Sequence, residues 1–173
     1  MNLNDLKRSW HKLGESDSLF AVLTRKDKKG GRWAEAEFFE TGEREIKEIL
    51  RRLKALKIKV TLGRVLDFGC GVGRLTLALA DYFDEVHGVD IAPSMIELAK
   101  KYGSQNKKCF YHLNEKGDLK IFPDARFDFV LSKITLQHME PRYAKNYLRE
   151  FLRVLKPKGI AVFQIPEKPL AAG

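Results

Sequence analysis

Residues 65–74, VLDFGCGVGR, decide the fold. A short apolar run, Arg64 to Phe68, enters Gly69, Gly71 and Gly73, and an apolar helical stretch, Leu75 to Phe83, follows. Glycine lacks a Cβ, so it accepts unusual turn angles and lets a ligand approach the main chain closely. A glycine-rich turn alone is weak evidence; between a strand and a helix it stands in the context a nucleotide-type site requires. The spacing departs from G-x-G-x-x-G, because Arg74 stands where the third glycine of that fingerprint would fall.

Working outward, Asp67 lies two residues before Gly69, and Asp90 ends the next apolar run, Glu85 to Asp90. An acid about 20 residues beyond such a turn is placed to accept from ribose hydroxyls. Asp90 also fits a plainer role, an acid at the start of the helix that Pro93 opens. A carboxylate as close to the turn as Asp67 repels a pyrophosphate but favours a ligand carrying an ammonium and a sulfonium. The two acids therefore point to S-adenosylmethionine rather than NAD, and Arg74 and Asp67 together disfavour an NAD-dependent oxidoreductase.

The remaining pattern alternates. Strands are expected at Cys109 to Leu113, Phe127 to Ser132 and Ile160 to Ile165. Helices are expected at Pro93 to Tyr102 and Pro141 to Leu155, the latter closed by LKPKG at 155–159. Alternating strands and helices make βαβ units, hence an α/β fold with a mainly parallel sheet and helices on both faces. Upstream, 43–57 reads as an amphipathic helix with Ile46, Ile49, Leu50, Leu53 and Leu56 on one face. Gly42 separates it from a short helix at Trp33 to Glu40, and RKDKKGGR at 25–32 reads as a basic loop. One domain over 1–173 is expected, with 1–42 as a helical cap or lid and 43–173 as the core. Trp33 and Phe38 are the candidate lid residues, the alternative being an ordinary helix docked on the sheet.

The bulk numbers fit. A chain of 173 residues with 44% hydrophobic content supports one core. No run of about 18 apolar residues suggests a membrane span, and no apolar leader opens the chain. Cys70 and Cys109 fit no zinc spacing, no metal is expected, and reduced thiols suit the cytoplasm. A formal charge of +9 permits an acidic partner such as RNA, but a charged content of 32%, mostly interspersed, equally suits a Lys/Glu-rich solvated surface or a thermophile.

The set of motifs resembles class I S-adenosylmethionine-dependent methyltransferases, most of all the methyltransferase type 11 group. VLDFGCGVGRLTLALA and VHGVDIAPSMIELAK are similar to the first two motifs of that family. FPDARFDFVLSKITLQHM and LREFLRVLKPKGIAVF are similar to its fourth-strand region and to the helix and strand after it. The resemblance covers about residues 64–165 and implies a Rossmann-like sheet of order 3-2-1-4-5. Relatives of this kind continue with a helix and two more strands, so the fifth strand is expected to be an open edge here, a surface for a homodimer or another partner.

The resemblance also implies roles. The backbone of Gly69, Cys70, Gly71 and Gly73 would contact the methionine part of the cofactor, with Asp67 near its amino group. Asp90 would bind the ribose and Ile91 would pack on the adenine. Many relatives carry an aspartate directly after the third strand; here that position is Asn114, and Asp118 follows four residues later. Asp118 with Leu119 is the expected adenine contact, with Asn114 or a plain solvated turn as alternatives. Ser132 and Lys133 would line the methionine end, and Gln137 and His138 would face the substrate. His138 is the candidate general base for a hydroxyl or nitrogen acceptor, or a capping residue. The implied reaction is in-line methyl transfer that leaves S-adenosyl-L-homocysteine, to a small molecule, RNA or protein. The competing reading is a non-catalytic cofactor-binding module that acts through a partner.

Overall fold

The computed structural model describes residues 2–165. Five strands form one parallel sheet: β1 (Arg64–Phe68), β2 (Glu85–Asp90), β3 (Cys109–Leu113), β4 (Phe127–Ser132) and β5 (Leu155–Phe163). Their order is β3-β2-β1-β4-β5, as the motif set implied. β1 is central, with Val65 beside Val86 on one side and beside Phe129 on the other. The helices are α1 (Leu3–Val22), α2 (Glu35–Ala55), α3 (Arg74–Leu79), α4 (Pro93–Tyr102) and α5 (Pro141–Val154).

Strand alternation sorts the core onto two faces. Val65, Val86, Phe129 and Leu131 pack under Ile46 and Leu53 of α2 and Leu75 and Leu79 of α3. Leu66, Phe68 and Val130 pack under Tyr147, Phe151 and Val154 of α5. A third cluster joins Leu19 of α1, Phe38 of α2 and Met95 of α4. Asp67 therefore points to the α2–α3 side, the side on which the glycine turn enters α3.

Two expectations need correction. Within the helical N-terminal segment, α1 runs from Leu3 to Val22, and the Asn2 side chain caps it by accepting from the Asp5 N–H at 3.0 Å. Gly42 does not separate two helices. It lies inside α2, where a Cβ would collide with the Arg74 carbonyl oxygen, so glycine serves close packing here rather than a break. The LKPKG segment does not merely close α5; it begins β5. Leu155 pairs with Phe127, and the register then jumps so that Ile160 pairs with Phe129. The residues between bulge out, with Lys158 at φ +67°, while Lys156 Nζ is anchored on Asp128 at 2.8 and 2.9 Å. Among the described residues β5 pairs with β4 alone and forms one edge, as expected. Residues 166–173, to which the expectation about further strands extends, lie outside the described range.

Candidate active site

The C-terminal ends of β1, β2 and β4 open into one cavity, where open α/β sheets bind ligands. Asp67, Gly69, Cys70, Gly71, Asp90, Ile91 and Asn114 all line it, together with Lys133 and His138. The turn after β1 winds through positive φ at Gly69 (+77°), Gly71 (+54°) and Gly73 (+88°). It is strapped to β2, because the Gly69 and Cys70 N–H groups both donate to the Val89 carbonyl, at 2.8 and 3.0 Å. A Cβ at Gly69 would strike the Thr135 side chain, so this position also needs glycine for space.

Asp90 closes the arrangement. Its Oδ2 accepts from the Gly71 N–H and its Oδ1 from the Ala92 N–H, both at 2.9 Å. The helix-start role and the cavity role thus coexist, since each carboxylate oxygen keeps a further lone pair for a ligand donor. Asp67 is 2% exposed, and its Oδ2 accepts from Thr76 Oγ1 at 2.7 Å. Burial pushes its carboxyl up to about 6, while Thr76 and the Arg74 charge pull the other way and the Asp90 charge adds to the rise. Burial also raises Asp90, against the pull of its backbone donors. Two desolvated carboxylates at adjacent strand ends favour a ligand bearing positive charge and hydroxyl donors.

His138 ends the 3-10 turn Leu136–His138 beyond β4. Its ring meets Trp10 of α1 edge-on, with centroids 5.2 Å apart. Burial lowers its pKa, opposed by a hydrogen bond to the Ile134 backbone, so the neutral imidazole is the favoured form. Ile134 itself lines the cavity at φ +56°, a strained angle for a β-branched residue.

Several residues expected at the site lie elsewhere. Trp33 and Phe38 do not form a lid; both are buried in the α1–α2–α4 cluster, and Trp33 Nε1 donates to the Leu23 carbonyl at 3.2 Å. The roof comes from α1 instead, which places Leu3, Leu6, Trp10 and Val22 over the cavity. Asp118 and Leu119 are not among the lining residues. Asp118 turns its carbonyl to Asn114 Nδ2 at 2.6 Å, and Leu119 is core, its N–H donating to Glu150 at 2.7 Å. Asn114 thereby stands alone at the end of β3. Ser132 is fully buried with an unpartnered hydroxyl, and Gln137 and Gly73 stay outside the lining set. Gly73 serves the fold, with Tyr111 Oη 2.9 Å from where its Cβ would be.

Leu3, Leu6, Trp10 and Val22 of α1 and Arg74 also line the cavity, beyond the residues the sequence motifs single out. Leu3, Leu6, Trp10 and Leu13 do recur at helical spacing, and Asn2 three residues before Asp5 is a capping pattern.

A glycine turn, a buried and a half-buried acid at neighbouring strand ends and a five-stranded parallel sheet define a Rossmann-like nucleoside-binding domain. Comparison with known proteins narrows this class. The family described as "Methyltransferase domain" matches residues 66–163, and the chain belongs to it. A putative methyltransferase, YqeM, of Bacillus subtilis is 31% identical over 107 residues, 60% of this chain and 42% of that protein. The chain spans less than half the length of the first curated relatives it matches, 42% and 44%. Phosphoethanolamine N-methyltransferase 1 of Haemonchus contortus, solved with phosphoethanolamine and S-adenosylhomocysteine, superposes with a TM-score of 0.74. At 19% identity it shares the fold, over 96% of this chain and 33% of that one. Phosphoethanolamine N-methyltransferase 2 of the same organism, solved with phosphomonomethylethanolamine and S-adenosylhomocysteine, is 27% identical. Its TM-score is 0.57, over 68% of this chain and 27% of that one.

Proposed function

We propose that this chain binds S-adenosylmethionine between the glycine turn and α1 and transfers its methyl group to an acceptor. The observation that carries this reading is the pair of carboxylates, buried Asp67 and half-buried Asp90, at the ends of adjacent strands beside a glycine turn. Family membership supports it, as does the bound S-adenosylhomocysteine of the 27% identical methyltransferase.

When bound, the sulfonium would supply an activated methyl group open to in-line attack by an acceptor lone pair, the carbon–sulfur bond electrons leaving with the thioether of S-adenosylhomocysteine. The chain's own residues bind, orient and exclude water. Asp67 meets the ligand's ammonium, and the free lone pairs of Asp90 accept from the ribose hydroxyls. Ile91 and Asn114 flank the adenine. Leu6 and Trp10 cover the site. The neutral His138 imidazole takes the proton of a hydroxyl or amine acceptor as the new bond forms. A small-molecule acceptor suits a cavity roofed by a helix better than a polymer does. The free thiols of Cys70 and Cys109 suit action in the cytoplasm.

Isothermal titration with S-adenosylhomocysteine tests the site. The native chain should bind, and Asp90→Ala should bind about 30- to 100-fold more weakly, the worth of charge-assisted hydrogen bonds to one carboxylate. Undiminished affinity in that variant removes Asp90 from the site.

A further inference from the structure

Besides the glycine turn, the cavity has a wall built by α1 and by the segment after β4, which contribute Leu3, Leu6, Trp10, Ile134, His138 and Met139. There Trp10 and His138 stand at 76° to one another, with ring centroids 5.2 Å apart. Two rings at that angle make a corner: a planar group laid on one meets the other edge-on, the arrangement aromatic pairs favour. Among the described residues, the charged groups that line the cavity are Asp67, Asp90, Arg74 and Lys133. Both cations are already engaged. Arg74 Nη2 donates to Glu45 Oε2 at 2.8 Å, Lys133 Nζ lies 3.3 Å from Glu45 Oε1, and the Arg74 charge also acts on Asp67. Three carboxylates thus face two cations, a balance of one negative charge. S-adenosylmethionine carries an ammonium, a sulfonium and a carboxylate, one positive charge in all, so the loaded site is neutral.

A charged acceptor that enters a neutral, desolvated site finds no counter-ion, and a charge buried without one is costly. We propose that the acceptor is an uncharged molecule with a flat apolar body and a hydroxyl group, seated in the corner between Trp10 and His138. This rests on the reading of S-adenosylmethionine as the ligand. Leu6 and Met139, both buried, give the body apolar cover. A hydroxyl fits better than an alkylamine, which is protonated near neutral pH and would bring both a charge and a blocked lone pair. A hydroxyl brings a proton for a neutral base to take, and burial keeps the His138 imidazole neutral. His138 takes that proton as the acceptor oxygen bonds the methyl carbon and the carbon–sulfur electron pair leaves on the thioether. The positive charge lost by sulfur reappears on the imidazole, so the total charge of the site is unchanged through the step.

The test uses the full chain saturated with S-adenosylhomocysteine and three probes that share one apolar body: para-propylphenol, para-propylbenzoate and para-propylbenzylammonium. Calorimetry should show the phenol binding about tenfold more tightly than either charged probe, because each charge is desolvated without a partner. Trp10→Ala, again saturated with S-adenosylhomocysteine, should weaken the phenol about tenfold, since one wall of the corner is lost. Thermal unfolding confirms that this variant folds. In the native chain the phenol should also shift the His138 ring resonances in NMR, a readout that needs no variant. A charged probe that binds as tightly as the phenol, a phenol that leaves His138 unmoved or is indifferent to Trp10→Ala, or binding of none of the three overturns the acceptor class and leaves the cofactor reading intact. Methyl transfer to phosphoethanolamine, which carries a phosphate and an ammonium, overturns it as well. Failure of S-adenosylhomocysteine to bind overturns both.

Discussion

Asp67 is placed where its ionised form is disfavoured, and the direction of that effect fixes what it does. Its carboxyl sits at about 6 because burial outweighs Thr76 and Arg74. The rise of about two units means that ionised Asp67 costs the ligand-free fold roughly 2–3 kcal/mol at pH 7.5, a cost relieved as pH falls through 6. Asp67→Asn keeps an oxygen to accept from Thr76 and loses the charge. It should raise the unfolding free energy at pH 7.5 by about 1–3 kcal/mol in urea titration and weaken S-adenosylhomocysteine binding at the same time. In the native chain, affinity for that ligand should fall about tenfold between pH 7.5 and pH 5 as Asp67 protonates; a flat profile would mean that Asp67 does not meet the ammonium. Asp67 and Asp90 were legible in the sequence because strand, turn and acid are neighbours along the chain. Asp118 and Leu119 were misplaced because distant partners decide their segment. Tyr147 Oη donates to the Lys116 carbonyl and Asn146 Nδ2 to that of Gly117, both at 2.6 Å, and Glu150 takes the Leu119 N–H. No local pattern announces an acceptor or donor about thirty residues away.

At the scale of elements, β2, β3, β4 and α4 begin and end where apolar periodicity and Pro93 place them. Their boundaries are set locally, by strand alternation and helix-start chemistry. The N-terminal helices were harder because glycine has two opposite uses. In a peptide, Gly42→Ala would strengthen a helix by about 1 kcal/mol. In α2 the new methyl would press on the Arg74 carbonyl, a backbone atom that cannot step aside, and overpacking of this kind costs about 1–3 kcal/mol. The variant should therefore melt lower than the native chain, and a higher melting temperature would contradict the α2–α3 contact. Gly14 in α1 is similar, its missing Cβ making room for Ser94 of α4, whose Oγ donates to the His11 carbonyl at 2.8 Å. Gly14 and the non-helical Asp17 break the apolar rhythm of α1, which hid the roof of the site. That roof has a measurable effect. Trp10 shields His138, and burial is what lowers the imidazole. Trp10→Ala should let water reach His138 and move its titration, followed by NMR, up toward 6.5. A titration that stays put would mean that α1 does not cover the imidazole.

Across the whole molecule, the +9 surface is not what should govern acid stability. Exposed pairs such as Glu48 with Arg51 and Arg52 are solvated and screened, and contribute little. The groups that matter are buried or half-buried and oppose one another. On β2 and β3, His87 Nδ1 lies 2.8 Å from His112 Nε2, and His87 Nε2 lies 2.6 Å from Glu85 Oε1. The rings stack against each other and pack edge-on against Phe122. Burial lowers both histidines, and with the neighbouring His87 charge also opposing protonation His112 falls to about 4. The unfolded chain takes up protons at these rings near 6.5 and the folded chain does not, so stability drains away as pH falls below 6.5, down to about 4 for His112. Asp67 works the other way: its folded carboxyl binds a proton near 6, the unfolded one only near 3.8, so the fold gains stability as pH falls through 6. Between pH 7 and pH 5 the native chain should therefore lose less stability than its histidines alone dictate. Removing either side should unmask the other. Asp67→Asn should lose stability more steeply over that interval than the native chain. His112→Phe, which keeps an aromatic ring against Phe122, should lose less or gain. Urea unfolding at the two pH values reads both slopes, and slopes in both variants equal to the native one would assign the acid response to groups other than these.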